Sequence, residues 1–301
     1  MPRGTEVVTS GLYVEPYTWC PLACRPCYTA HRERRSLPEA SVFRAIEILL
    51  EGQEVLGVFW CGLGEVHEDP RFSSLLARCD ARWGDRLLHV VQTNGQHPEA
   101  VPVERTGNKV FLVSIDLPRA LHESFRGPGT WDPAVTYASR ALAAGALGVG
   151  VKCLLTVDSA PEVGPAFEAL RTEWGQAAGL GAEETARRVR LHPVVPFPRE
   201  AVARVDRPSF RGGGWHESPA AVRKAALEAD LVRFCSDPGV LDRPRTVEVS
   251  LTVDGVFSCC EAIVLIADLE DLDTLDRSEL LARLRAAAPG CRACPLKDVC
   301  G

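Results

Sequence analysis

Along roughly the first two-thirds of the chain, unbroken apolar runs of strand length alternate with segments whose apolar residues recur at helical spacing. An unbroken apolar strand is buried on both faces, so the alternation calls for parallel βα units covered by helices. The strand runs are residues 11–18, 55–61, 87–92, 109–115, 148–157 and 189–195. Between them, Ser36-Leu37-Pro38-Glu39 has capping-box form, and Val42, Phe43, Ile46, Leu49 and Leu50 follow at helical spacing up to Gly52. Further helices are predicted over 70–83, over 161–178, and from Asp132 as cap with Pro133 at the first position to Gly145. Six units are too few for a closed eight-stranded barrel. The fold class is therefore α/β, an open partial (βα)6 barrel. Residues 199–218 read as a loop and 219–231 as a connecting helix.

The last seventy residues differ in character. Val247, Val249, Leu251 and Val253 alternate, and Asp254-Gly255 then Val256-Phe257 signal a β-hairpin with a type I′ turn. A helix over 272–288 follows. Of twelve cysteines, Cys20, Cys24 and Cys27 lie near the start and six lie from Cys235 to Cys300, with Cys61, Cys79 and Cys153 between. A disulfide framework belongs to small secreted chains, and this one has 301 residues and no apolar core after Met1-Pro2-Arg3. Two end-loaded groups of soft ligands point to two metal centres in a reducing, cytoplasmic compartment. A net charge of -6, with acidic residues interleaved in His31-Arg32-Glu33-Arg34-Arg35, excludes a nucleic-acid surface. No apolar run has the length of a membrane span.

The spacing Cys20-x3-Cys24-x2-Cys27 is the most specific signal. Pro21 and Pro26 keep the stretch out of a regular helix, and a loop can present three thiolates to one cubane. Iron–sulfur clusters normally take four cysteines, so three leave one iron open. A structural zinc site and three unrelated buried cysteines are the alternatives. With Tyr28 after it, the stretch resembles the cluster loop of the radical S-adenosylmethionine (SAM) superfamily. The resemblance implies that the open iron binds SAM. Gly62-Leu63-Gly64-Glu65 resembles the superfamily's Gly-Gly-Glu element, with Leu63 inserted, and an ordinary βα turn is its alternative. Thr93-Asn94-Gly95 ends the third strand, and Ser114-x-Asp116 resembles the strand end that meets the SAM ribose or methionine. The segment from His122 through Arg126 to Trp131 resembles the one that follows in members bearing an extra cluster domain, and Arg126 is placed to pair with the SAM carboxylate. Lys152, beside Cys153, is either a polar barrel residue or an edge residue.

Cys235, Gly255-x4-Cys260 and Cys291-x2-Cys294-x5-Cys300 resemble the twitch, or shortened SPASM, auxiliary-cluster domain; a zinc ribbon is the alternative. The resemblance divides the chain into a barrel over 8–230 and a small twitch domain over 231–301. It implies two [4Fe-4S] clusters, SAM, and an electron donor such as flavodoxin or ferredoxin. Neighbouring side chains of a strand point to opposite faces, so Cys259 is spare if Cys260 is a ligand. A spare thiol near a radical centre either donates hydrogen or packs as a small hydrophobe, and Cys153 faces the same choice. The resemblance further implies hydrogen abstraction from a C–H bond, ending in epimerisation or dehydrogenation. A first strand starting near Gly11 leaves no room for a leader-binding domain, which favours a small polar natural product, aminoglycoside-like, over a ribosomal peptide.

Overall fold

The central sheet is built from strands β1 (Leu12–Val14), β2 (Leu56–Trp60), β3 (Leu87–Thr93), β4 (Lys109–Ser114), β5 (Gly148–Leu154) and β6 (Val189–Val194). In the computed structural model, residues 11–27, 33–62, 64–102, 106–195, 216–234, 249–257 and 265–292 are described. β1 to β6 pair in parallel in chain order, and the sheet continues past β1 through β7 (Val249–Thr252), β8 (Gly255–Phe257) and β9 (Leu265–Ala267). β7 lies parallel to β1, while β7–β8 and β8–β9 are antiparallel. Among the described residues β6 and β9 are the two edges, so the six parallel strands stay open, in keeping with their count. The C-terminal hairpin therefore shares the barrel's sheet.

The described α-helices are α1 (Glu39–Leu50), α2 (Phe72–Trp83), α3 (Arg119–Arg126), α4 (Trp131–Ala143), α5 (Ala160–Ala177), α6 (Ala182–Arg188), α7 (Pro219–Glu228) and α8 (Arg277–Arg292), with short 3-10 turns between some of the elements. Period-two alternation sends one set of strand side chains toward the helices. Trp60 meets Phe72 of α2 and Phe111 meets Tyr137 of α4, each edge-on. Phe111 pairs in register with Val149, and Val149 with Val189. That set is the buried core. Its complement, including Phe59, Gln92, Leu112, Lys152 and His192, is half-buried and lines the concave face.

Three local expectations are corrected. Ser36 does not cap α1: it bridges to Tyr17, and Pro38 occupies the N-cap position without a side-chain bond. Asp132 lies inside the first turn of α4, where both its oxygens take hydrogen bonds from Arg119 at 3.0 and 2.9 Å. The β7–β8 turn is not type I′, which needs positive φ at both central residues. Thr252 pairs with Gly255, making Val253 and Asp254 the loop. Neither has positive φ, and the left-handed residue is Gly255 at +137°. Helices α3 and α6 were not anticipated. Both are short, and the apolar spacing that marks longer helices is absent from Ala182–Arg188, which is largely charged.

Burial pushes His67 and His122 down to about 4, with Arg126 adding to the effect at His122. An unfolded histidine titrates near 6.5, so below that pH the unfolded chain binds more protons than the folded one. Stability is full above about pH 6.5 and should fall by up to roughly 3 kcal/mol per histidine as pH drops toward 4. Urea midpoints at pH 7, 5.5 and 4.5 check this; a flat profile would contradict it.

Candidate active site

The cysteine loop leaves the carboxyl end of β1 and is tied down on three sides. The Thr18 hydroxyl accepts from the Arg35 amide at 3.0 Å, and Trp19 is covered by the Arg34 guanidinium 3.9 Å from its ring centre. The Arg25 amide donates to the Phe125 carbonyl of α3 at 2.7 Å, and the Cys27 amide to the Cys24 carbonyl at 3.0 Å. Cys20, Cys24 and Cys27 are partly exposed and none is in a disulfide. Burial raises Cys20 to about 12, assisted by the negative charges of Glu65 and Cys24. Burial also raises Cys24, opposed by the positive charge of Arg126.

The glycines of the Gly-x-Gly-Glu segment are required by close approach. Gly62 has φ +130°, and a Cβ there would fall 2.8 Å from Glu15 Cβ. A Cβ on Gly64 would collide with the Tyr17 carbonyl and lie 2.8 Å from the Trp19 amide nitrogen. The second strand end thus presses its bare backbone on the residues leading into Cys20. Glu65 fastens this contact. Its amide donates to the Trp19 carbonyl at 2.8 Å. Its carboxylate accepts from Thr93 Oγ1 at 2.6 Å, the Asn94 amide at 2.7 Å and the His67 amide at 3.3 Å. It is 2 % exposed, and burial raises its pKa. The carboxylate is engaged within the protein, joining the ends of β2 and β3 beneath the cysteine loop.

Asn94 Nδ2 reaches Cys20 Sγ at 3.7 Å. The pairing of Thr93 with Val113, Ser114 with Lys152 and Lys152 with His192 places Asn94, Ser114, Lys152 and His192 in one row across the concave face. Asp116, expected to meet SAM, is fully buried. It accepts from Arg126 Nε at 2.7 Å and the Leu154 amide at 2.8 Å, while its own amide donates to His122 Nδ1 at 3.1 Å. Its carboxylate aims Arg126, whose charge is felt at Cys24. Cys153 is also fully buried, in phase with Val149 and Val151 toward the helices, and its sulfur accepts from the Leu117 amide at 3.4 Å. That geometry gives Cys153 a packing role and removes it from the concave face.

Tyr28, Cys235, Cys259, Cys260, Cys294 and Cys300 lie outside the described residues, as does the side chain of Cys291 in the last turn of α8. Among the described residues no three His, Cys, Asp or Glu side chains converge as ligands of a single metal ion. A cubane does not need them to, because each thiolate binds a different iron. The sequence pattern alone does not single out Gln92 and His192, which share this face. Lys152 was visible in the sequence, and extending its strand phase across the neighbouring strands finds both.

No family model and no curated protein sequence matches the chain. Solved structures do. The enzyme anSMEcpe with bound AdoMet superposes at a TM-score of 0.62 with 14% identity, over 92% of this chain and 82% of that one. The same protein with AdoMet and a Cp18Cys peptide gives 0.60, 14%, 92% and 81%. Streptococcus suis SuiB bound to the precursor peptide SuiA gives 0.57 and 14%, over 85% of this chain. The chain has the fold of the radical SAM enzymes. It spans 60% of the length of SuiB. Here the cysteine loop follows β1, and the Gly-x-Gly-Glu segment follows β2. No helix among the described residues is long and apolar enough to cross a membrane.

Proposed function

We propose that the chain is a radical SAM enzyme acting on a C–H bond of a small polar natural product, with epimerisation as the outcome. The carrying observation is the meeting of three cysteines outside any disulfide, the Asn94 amide and the bare backbone at Gly64 at one end of this fold. That donor set fits a [4Fe-4S] cluster: soft ligands on a loop, with an N–H already directed at Cys20 sulfur. Cys20, Cys24 and Cys27 would hold such a cluster, which together with SAM would supply the one-electron chemistry for removing a hydrogen atom. The chain does the rest. Gly62 and Gly64 let the second strand end close against Glu15, Tyr17 and Trp19, and Arg126, held by Asp116, offers a guanidinium to the SAM carboxylate. An auxiliary [4Fe-4S] cluster on four of Cys235, Cys260, Cys291, Cys294 and Cys300 and an electron donor such as flavodoxin or ferredoxin complete the reading. Cys259 is the hydrogen donor that separates an epimerase from a dehydrogenase.

A ribosomal peptide is the second substrate reading, supported by the peptides bound to anSMEcpe and SuiB. The deciding experiment runs the reconstituted enzyme in deuterated water with dithionite and SAM, on a substrate found by screening the products of neighbouring genes. One solvent deuterium at an inverted carbon is the expected result, because a thiol proton exchanges with solvent. A product oxidised by two electrons without deuterium would mean dehydrogenation.

A further inference from the structure

Asn94, at the end of β3, makes its folding bonds through atoms other than its side-chain nitrogen. Its backbone amide donates to Glu65 Oε2 at 2.7 Å, and its Oδ1 accepts from the Gln96 amide at 2.9 Å. Gln96 Nε2 donates in turn to the Thr130 carbonyl at 2.9 Å and to the Asn94 carbonyl at 3.3 Å. Gly95, between them, has φ +73°, and a Cβ there would fall 2.8 Å from Ala134 Cα. The turn is therefore held both from the start of α4 and from the Gly-x-Gly-Glu segment, and Asn94 is buried.

These bonds also fix which way the side-chain amide faces. A backbone N–H can only donate, so the atom that Gln96 meets is the oxygen, and the atom 3.7 Å from Cys20 Sγ is the nitrogen. Cys20 sulfur also takes a backbone bond from Leu22, which comes with the cysteine loop itself. Asn94 arrives from a different strand end, 74 residues further along the chain. An N–H aimed at a cysteine sulfur favours whichever state puts more negative charge there. For an iron–sulfur cluster that is the reduced state, so hydrogen bonds to the sulfurs are among the factors that set its potential.

We propose that Asn94 is a redox-tuning residue: its Nδ2–H, donated to Cys20 sulfur, raises the reduction potential of the cluster held by Cys20, Cys24 and Cys27. This rests on the radical SAM reading and adds to it how the chain eases entry of the electron. The electron comes from the external donor, and Asn94 itself gains neither electron nor proton. A purely architectural Asn94 would need only its backbone amide and Oδ1. Asn94→Ser keeps an oxygen for the Gln96 amide and loses the Nδ2 donor. Asn94→Asp keeps the same oxygen and sets a carboxylate against the sulfur.

The test is a redox titration of the reconstituted full chain with dithionite, followed by electron paramagnetic resonance. The signal scored is the one missing when Cys20, Cys24 and Cys27 are all changed to alanine. Asn94→Ser should make one-electron reduction about tenfold less favourable, a potential about 59 mV lower, and Asn94→Asp should lower it further. Both should keep the parent's iron. A second readout needs no variant. The chain has two asparagines, and the other, Asn108, is bonded to Asp80, so asparagine carrying nitrogen-15 in its side-chain amide marks one nitrogen beside Cys20. Pulsed resonance on the reduced parent should show a coupling to that nitrogen. No coupling overturns the proposal, as does a reduction equilibrium in both variants within about twofold of the parent's at full iron content. If either variant loses iron, the coupling in the parent decides. A parent that binds no iron, or makes no 5′-deoxyadenosine from SAM, defeats the radical SAM reading and this proposal with it. An enzyme that does both with an unmoved potential sinks this proposal only.

Discussion

Changing Cys20, Cys24 and Cys27 together to alanine should remove about half of some eight irons and lower 5′-deoxyadenosine formation by more than about a hundredfold. The expectation follows from where the thiols stand. They lie on one loop fastened by Thr18, Arg25 and Glu65, beside bare backbone at Gly64 and below the charge of Arg126. Removing the thiols deletes the ligands but leaves those fastenings in place. The variant should therefore fold and keep whatever iron the C-terminal cysteines hold. Cys79 is the matched control: a fully buried thiol on α2, facing the core. Cys79→Ala should leave iron content unchanged. Stoichiometric zinc in the parent, or SAM cleavage undiminished in the triple variant, would defeat the assignment.

The order and parallel pairing of the strands were legible because each is an apolar run bounded by turn residues, and tertiary packing had nothing to override. The cysteine loop was legible from spacing alone. What escaped were features set by side chains meeting across the fold. Asp116, expected from the resemblance to meet SAM, and Glu65 of the Gly-x-Gly-Glu segment each spend their oxygens on neighbouring backbone and side-chain donors. Nothing local in the sequence distinguishes a carboxylate that faces a ligand from one that fastens the loop below it. Cys153 illustrates the same limit. Which face of β5 it occupies depends on the phase that Phe111 fixes two registers away, through its contact with Tyr137. The turn at Val253-Asp254 shifted because Gly255 packs under Leu265 and the Ala267 carbonyl, where a Cβ would come within 2.6 and 2.9 Å. That partner strand is invisible to a reading of the hairpin alone.

Lys109→Met should destabilise the fold by about 3–5 kcal/mol, the cost of leaving a buried charge without its counter-ion. Lys109 is 2 % exposed and donates to Asp80 Oδ2 at 2.6 Å. Asp80 also accepts from Asn108 Nδ2 at 2.9 Å and lies 3.2 Å from His89 Nε2. The tautomer of His89 follows from its other neighbour. Trp60 Nε1 can only donate, and it lies 2.9 Å from His89 Nδ1, so Nδ1 is bare and Nε2 carries the proton toward Asp80. Burial keeps this imidazole neutral, lowering its pKa. A neutral histidine stabilises the Asp80 carboxylate by a hydrogen bond but does not cancel its charge; Lys109 does that. Burial alone would raise Asp80, and the bonds from His89, Lys109 and Asn108 instead hold it well below the usual carboxylate range. Without the lysine, burial should prevail and the Asp80 pKa should rise. The penalty of Lys109→Met should therefore be largest at neutral pH and shrink on acidification, as Asp80 takes up a proton in the variant before it does in the parent. Lys109→Met with Asp80→Asn removes both charges and should recover part of the loss. Urea midpoints for parent, single and double variants at pH 7 and 5 measure all of these. A single variant within about 1 kcal/mol of the parent would mean that Asp80 finds its compensation elsewhere.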